Sequence, residues 1–172
     1  MKRVIVSTVL VLCCFVLQCT VFKAISFGGI VPNMMIVLAA SFGFMRGERT
    51  GLLFGFFCGL LCDIFFGQVL GLYAMIYMYI GYLNGKFNRA FYPEDIKLPM
   101  VLILVSDLLY GLSCYFVFFM LRGRFHIGYY FINIILPEMV YTILVTMILY
   151  PIILWIHKKL EDSEQRSARK FV

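Results

Sequence analysis

Three carboxylates stand inside apolar runs: Asp63, Asp107 and Glu138. A charged group at membrane depth is costly and must face protein, water or a partner rather than lipid. No basic residue lies deep in any of the same runs. Water, backbone donors or a bound proton are then left to accommodate these carboxylates. Three roles follow for them: hydrogen bonding that fixes helix packing, recognition of another protein, or a proton or cation relay around a buried polar core. Asn33 and Asn133 are further buried polar candidates. Asp63 also ends a regular series, Gly51, Gly55, Gly59, Asp63, in the run GLLFGFFCGLLCDIFFG. Residues four apart stack on one helix face. Three glycines strip that face of side chains, so that another helix can approach to backbone contact. We read the stripe as a helix-packing or partner-binding face.

These groups require membrane helices to position them. Of the 172 residues 63% are hydrophobic, and the mean hydropathy is +0.95, far above the range of a soluble domain. The composition implies a single polytopic membrane domain, residues 1–160, followed by a polar cytoplasmic tail, 161–172. That tail is expected to be flexible or to lie along the membrane surface. Aqueous catalysis has no soluble scaffold here. The net charge of +6 does not imply nucleic acid, because most basic residues lie in short loops and tails beside apolar runs, where membrane topology accounts for them.

Six apolar segments are expected, over 4–22, 30–45, 52–66, 69–83, 98–121 and 128–156. A bilayer core takes about 20 helical residues, which the first, fifth and sixth supply and the others do not. As one helix, 51–83 would run roughly 50 Å, so it must turn near Gly67-Gln68. Two full crossings or a re-entrant pair satisfy that turn. The first segment, after Lys2-Arg3, lacks a small-x-small cleavage site and reads as a signal anchor.

With six crossings and an inside N-terminus, twelve of the fifteen basic residues fall inside: Lys2, Arg3, Arg46, Arg49, Lys86, Arg89, Lys97, Lys158, Lys159, Arg166, Arg169 and Lys170. Only Lys23, Arg122 and Arg124 fall outside, which puts both termini in the cytoplasm. A re-entrant pair leaves that count unchanged. Arg122–His126 is then a minority-side loop, either an interfacial anchor or a partner contact.

All six cysteines lie within apolar spans, which implies no disulfide framework. Cys58 and Cys62 share a helix face, but no histidine lies nearby to complete a metal site. No cofactor is expected. Hydrolase elbows, zinc-protease helices and phosphate loops are absent, and neither Asp63 nor Asp107 stands in a Gly-x-Gly-Asp setting of intramembrane proteolysis. Pro137 removes a backbone bond to the Asn133 carbonyl and is expected to kink the sixth span beside Glu138. Pro32 and Pro151 are expected near span ends.

The order of these features is more specific than any one of them. Pro32-Asn33 opens a second span ending at Arg46-Gly47. Gly55, Gly59 and Asp63 follow at four-residue spacing, then Gly67 and Gly71, then a span closing at Gly81-Tyr82. Asp107 lies in the fifth span, and Pro151 precedes His157-Lys158-Lys159. This pattern resembles the MreD family, small membrane subunits of the bacterial rod-shape (elongasome) system, over nearly the whole chain. Glu138 and the tail from Ser163 fall outside the pattern and take no family role. The resemblance implies a non-enzymatic subunit of the inner membrane. It also implies partners: the bitopic scaffold MreC, the actin-like MreB, the RodA glycosyltransferase and a class B penicillin-binding protein, acting in lateral peptidoglycan synthesis. The six-span layout is similar too to the substrate-binding subunits of energy-coupling-factor vitamin transporters. The alternative function is therefore a solute-binding transport subunit, although the first span, VIVSTVLVLCCFVLQCTVF, lacks the Ala-x-x-x-Ala docking signature common in those subunits.

Overall fold

A computed structural model describes residues 2–26, 29–67, 69–90, 96–119 and 127–169. The expected turn residue Gln68, the loop Arg122–His126 and the chain end from Lys170 lie outside the described residues. The protein is all-helical there apart from short connections. Helix α1 covers Lys2–Leu17 and continues through a wider, i→i+5 turn at Gln18–Phe22. Helices α2 (Met34–Arg46), α3 (Glu48–Phe66) and α4 (Leu72–Lys86) follow, with a 3₁₀ turn at Phe87–Ala90 after α4. Helix α5 spans Lys97–Phe118. The last helix, α6, starts at Ile127–Tyr130, widens at Phe131–Ile135 and runs on over Leu136–Arg169.

Among the described residues, four stretches are long and apolar enough to cross a bilayer: Ile5–Phe22, Glu48–Phe66, Lys97–Phe118 and Ile127–Asp162. The third segment, expected to be short, therefore reaches spanning length, because its helix begins at Glu48 and takes in the polar turn Glu48-Arg49-Thr50. Helices α2 and α4 are shorter, 13 and 15 residues, or about 20 and 22 Å.

Contacts fix the directions. Near its start α1 meets the end of α2 through Ser7 and Arg46, and near its end it meets the start of α2 through Gln18 and Met34. The start of α3 lies against the end of α4 at Glu48 and Gly85, and its far end lies against Ala74. Tyr77 and Tyr73 of α4 pack on Tyr110 and Phe118 of α5, while Asn84 reaches back to Ser106. Thr142 of α6 sits at the start of α2 and His157 at its end. Consecutive helices thus run antiparallel.

Helix α2 is the centre. Every residue from Met34 to Met45 is buried, so its apolar character all round matches an interior helix. It has neighbours in all five other helices. The remaining helices expose one apolar face, for example Phe57, Phe65, Val101, Val105, Leu144 and Ile148. An outward apolar face of this kind suits a hydrocarbon solvent.

Both prolines of α6 lie within one continuous helix. The turn before Pro137 is the wider Phe131–Ile135 turn, which takes up the missing backbone donor without ending the helix. Pro151, expected near a span end, lies inside the helix. That helix also continues past residue 160, to Arg169.

Candidate functional site

The stripe on α3 faces α4. A methyl group built on Gly51 would overlap the backbone of Gly81 on α4 and Gly43 on α2, and one on Gly55 would overlap the Tyr77 carbonyl. On Gly59 it would lie 2.5 Å from the Ala74 Cα. No rotamer change relieves an overlap with backbone. The approach is reciprocal, since Gly81 meets Gly51 and Gly85 meets Glu48. Gly43, Gly81 and Gly85 were not singled out from sequence as a packing face, although Gly81 and Gly85 show the same four-residue spacing. Helix pairs in a bilayer gain little from apolar burial and depend on close van der Waals fit. The three-way contact of α2, α3 and α4 is that kind of fit.

Asp63 ends the stripe where α3 finishes, and its carboxylate caps α4. Oδ2 accepts from the backbone N–H of Gly71 (3.0 Å) and Ala74 (2.8 Å), and Oδ1 accepts from the N–H of Tyr73 (2.9 Å). The first N–H groups of a helix have no partner within it, and its N-terminus carries partial positive charge. A buried carboxylate is accommodated there without any basic side chain. Gly71 sets the entry to α4 with φ +99°, a left-handed conformation that glycine adopts without penalty.

A second polar group gathers where α1, α2, α4, α5 and α6 meet. Asn33 caps α2: its Oδ1 accepts from Ile36 N–H (3.2 Å) and from the Tyr77 hydroxyl (2.7 Å). The Asn33 N–H donates to Thr142 Oγ1 (3.1 Å), and the Met34 N–H donates to Gln18 Oε1 (3.0 Å). Tyr77, Thr142 and Gln18 were not recognised from sequence; tyrosine, threonine and glutamine at span-interior positions carry no spacing signal of their own. Asp107 is 2% exposed, and neither of its carboxylate oxygens has a hydrogen-bond partner. Thr142 and Glu138 are its polar neighbours, the Thr142 hydroxyl lying beside it outside hydrogen-bond geometry.

One expected member differs. Asn133 is exposed, not buried, and its side-chain amide donates to the Tyr129 carbonyl (2.8 Å) on its own helix. It lies within the wider turn, which rotates it off the inner face. Glu138 is largely buried, with Asp107 and Asn33 as neighbours. The structure thus brings Asn33, Asp107 and Glu138 together, keeps Asp63 apart at the α3–α4 end, and leaves Asn133 outside.

At the opposite end of α2, Arg46 joins three helices. Its Nε donates to His157 Nδ1 (3.5 Å), one terminal nitrogen donates to Ser7 Oγ (3.4 Å), and its guanidinium lies over the Phe42 ring. His157 Nε2 is 3.7 Å from Glu161. The Asn88 side chain donates to the Phe44 carbonyl nearby (2.7 Å). Arg49, Lys86, Arg89 and Lys97 belong to the helix ends gathered on this side, Lys158 and Lys159 follow His157 there on α6, and among the described residues Lys23 alone belongs to the other.

The chemistry available is capping, packing and burial of carboxylates. Among the described residues no three His, Cys, Asp or Glu side chains gather as a metal-ligating group. Searches of curated proteins and of solved structures return no match. The family model for the rod shape-determining protein MreD matches residues 1–160 of the 172. Matched over that length, and built from apolar helices that suit a membrane, the chain belongs to the MreD family of rod shape-determining membrane proteins.

Proposed function

We propose that this protein is a non-enzymatic, multi-pass subunit of the elongasome in the inner membrane. It would bind an MreC-like scaffold and, with it, the MreB-like filament, the RodA-like glycosyltransferase and the class B penicillin-binding protein, to direct lateral peptidoglycan synthesis. The observation that carries this reading is the family match across the membrane domain. The alternating helix directions support six crossings, with α2 and α4 as short spans. Segregation of the basic side chains to one end supports cytoplasmic termini. Gly51, Gly55, Gly59 and Asp63 serve partner binding indirectly in this scheme, by holding α3 and α4 as one rigid body whose outer face is presented to neighbours.

Depletion tests the reading. Cells losing the protein should widen and round up, with dispersed lateral wall synthesis, and an MreC-like protein should be recovered with it from mild detergent. Saturable binding of a vitamin or other small solute, together with normal cell width after depletion, would overturn the assignment in favour of a transport subunit.

A further inference from the structure

The outward apolar surface of this protein is not of one height. Exposed apolar side chains run from Ile5 to Ile25 along α1 and its extension, and from Ile96 to Phe116 along α5, each roughly 30 Å. On α6 they run from Ile127 to Trp155, roughly 40 Å. On α3 they run only from Leu53 to Phe66, about 20 Å, and on α4 with the turn after it from Met75 to Phe87, about 18 Å. Contacts with the helices alongside place this shortfall at both ends. The rings of Phe65 and Phe66, at the end of α3, pack on Phe15 of α1 at 5.0 and 6.0 Å between centroids. Past that level α1 and its extension go on to Phe22, about 10 Å further. Asn84, near the end of α4, bonds to Ser106, and α5 goes on past that level to Lys97, about 13 Å further. The α3–α4 hairpin is thus recessed at its outer end against α1 and at its inner end against α5. Even with the exposed Val69 and Leu70 at its tip, its apolar band falls short of a hydrocarbon core of about 30 Å.

A span shorter than the hydrocarbon core is accommodated by thinning the bilayer, by snorkelling of flanking side chains, or by association. Tilting only deepens the shortfall. Lys86 does not snorkel outward. Side chains on a helix lean toward its N-terminus, and the Lys86 ammonium lies over the Tyr82 ring, 4.8 Å from its centroid. That is one turn toward the middle of the bilayer, so the charge carries the polar boundary inward on the α4 face. The band between the boundaries is fit for acyl chains, with Phe57 and Tyr79 turned outward. We propose that the α3–α4 face binds a thinned patch of bilayer, a surface that takes phospholipids with short acyl chains, while the α6 face meets bilayer of ordinary thickness. The partner is the lipid itself. The inference rests on the six-crossing arrangement and not on the elongasome partners.

Tryptophan quenching in vesicles holding the full-length protein tests it face by face. Trp155→Phe removes the only tryptophan of the chain. Phe57→Trp then sets one at mid-height on α3, and Leu144→Trp sets one on α6, both at exposed positions where packing is not disturbed. Brominated dioleoyl phosphatidylcholine quenches a tryptophan that touches lipid, and competition with the shorter dimyristoleoyl phosphatidylcholine gives the relative affinity. The Phe57→Trp variant should favour the shorter lipid by about two- to threefold, and the Leu144→Trp variant should show no preference. Equal relative affinities at the two positions would overturn the proposal, as would a Phe57→Trp variant that brominated lipid does not quench. Leu70→Cys, in a cysteine-free background, separates the proposal from its premise. If an impermeant thiol reagent labels it from outside intact cells and no short-chain preference is seen, the thinning falls and the six crossings stand. If it stays unlabelled, the hairpin ends inside the bilayer and both fall.

Discussion

Replacing Asp63 by alanine should destabilise the protein by about 3 kcal/mol. Three N–H groups, of Gly71, Tyr73 and Ala74, lose their acceptor together. Hydrogen bonds to charged groups contribute about 1.5–3 kcal/mol each in water-soluble proteins, which would give an upper bound of about 9. Polar contacts within membrane proteins average nearer 0.6, with a maximum near 1.7, which gives about 2 to 5 for three. Gly71 is exposed, whereas Ala74 is 1% exposed and its donor would be left buried. The expected loss therefore sits in the lower half of that range, on the order of 100-fold in the folding equilibrium. Asp63→Asn keeps one acceptor oxygen but sets an NH₂ against backbone donors, and should lose about half as much. Reversible unfolding in mixed micelles, followed by helical circular dichroism, measures both. Cys58, fully buried beside Gly59, supplies a second readout, since its reaction with a thiol reagent should accelerate as α3 and α4 part. An alanine variant within about 0.5 kcal/mol of wild type, with Cys58 still protected, would refute the capping argument.

Gly59→Ala should cost about 1–3 kcal/mol, because the new methyl meets backbone closer than 3 Å, whereas Gly111→Ala should cost less, because it meets the Ile135 side chain at 3.0 Å and no backbone; parallel unfolding curves would separate them. Tyr77→Phe deletes the 2.7 Å bond to Asn33 and should lower stability by about 1 kcal/mol, with Asn33 still capping α2 through Ile36. Single cysteines at Lys23 and Lys159, in a cysteine-free background, should be labelled by an impermeant thiol reagent from opposite sides of the membrane; labelling of both from outside intact cells would sink the six-crossing arrangement.

The helices and the glycine series were legible in the sequence, but the directions in which the helices face were less so. Except for the end of α6, which runs on to Arg169, the apolar segments fell within a few residues of the helices, because turns in this chain coincide with Gly, Pro and charged residues. The four-residue series announced a close approach but not the identity of the approaching helix. That Asp63 caps α4 depends on donors eight to eleven residues further on, after a turn whose geometry is set by Gly71. Asn33 and Asn133 looked alike as polar residues in apolar runs, yet one caps the central helix and the other points outward. The reason is physical. In water, polar residues mark the outer face of a helix, but in a bilayer the outer face is apolar too, and periodicity no longer tells inside from outside. Pro151, expected near a span end, stands inside α6, because the helix carries on through the charged residues beyond it.

The bond from Asp63 to the start of α4 also bears on how the chain enters the bilayer. On its own, α4 is a poor insertion substrate. It is 15 residues long, contains Asn84 and Lys86, and would begin with uncapped backbone N–H groups, which a bilayer does not satisfy. Arriving with α3, it has those donors already covered and its glycine face already closed against its neighbour. The hairpin is thus the smallest piece of this region that suits lipid, and it should leave the translocation machinery as a pair. A variant at position 63 would then show its defect at birth, as α4 left stranded at the membrane surface, before any question of folding arises.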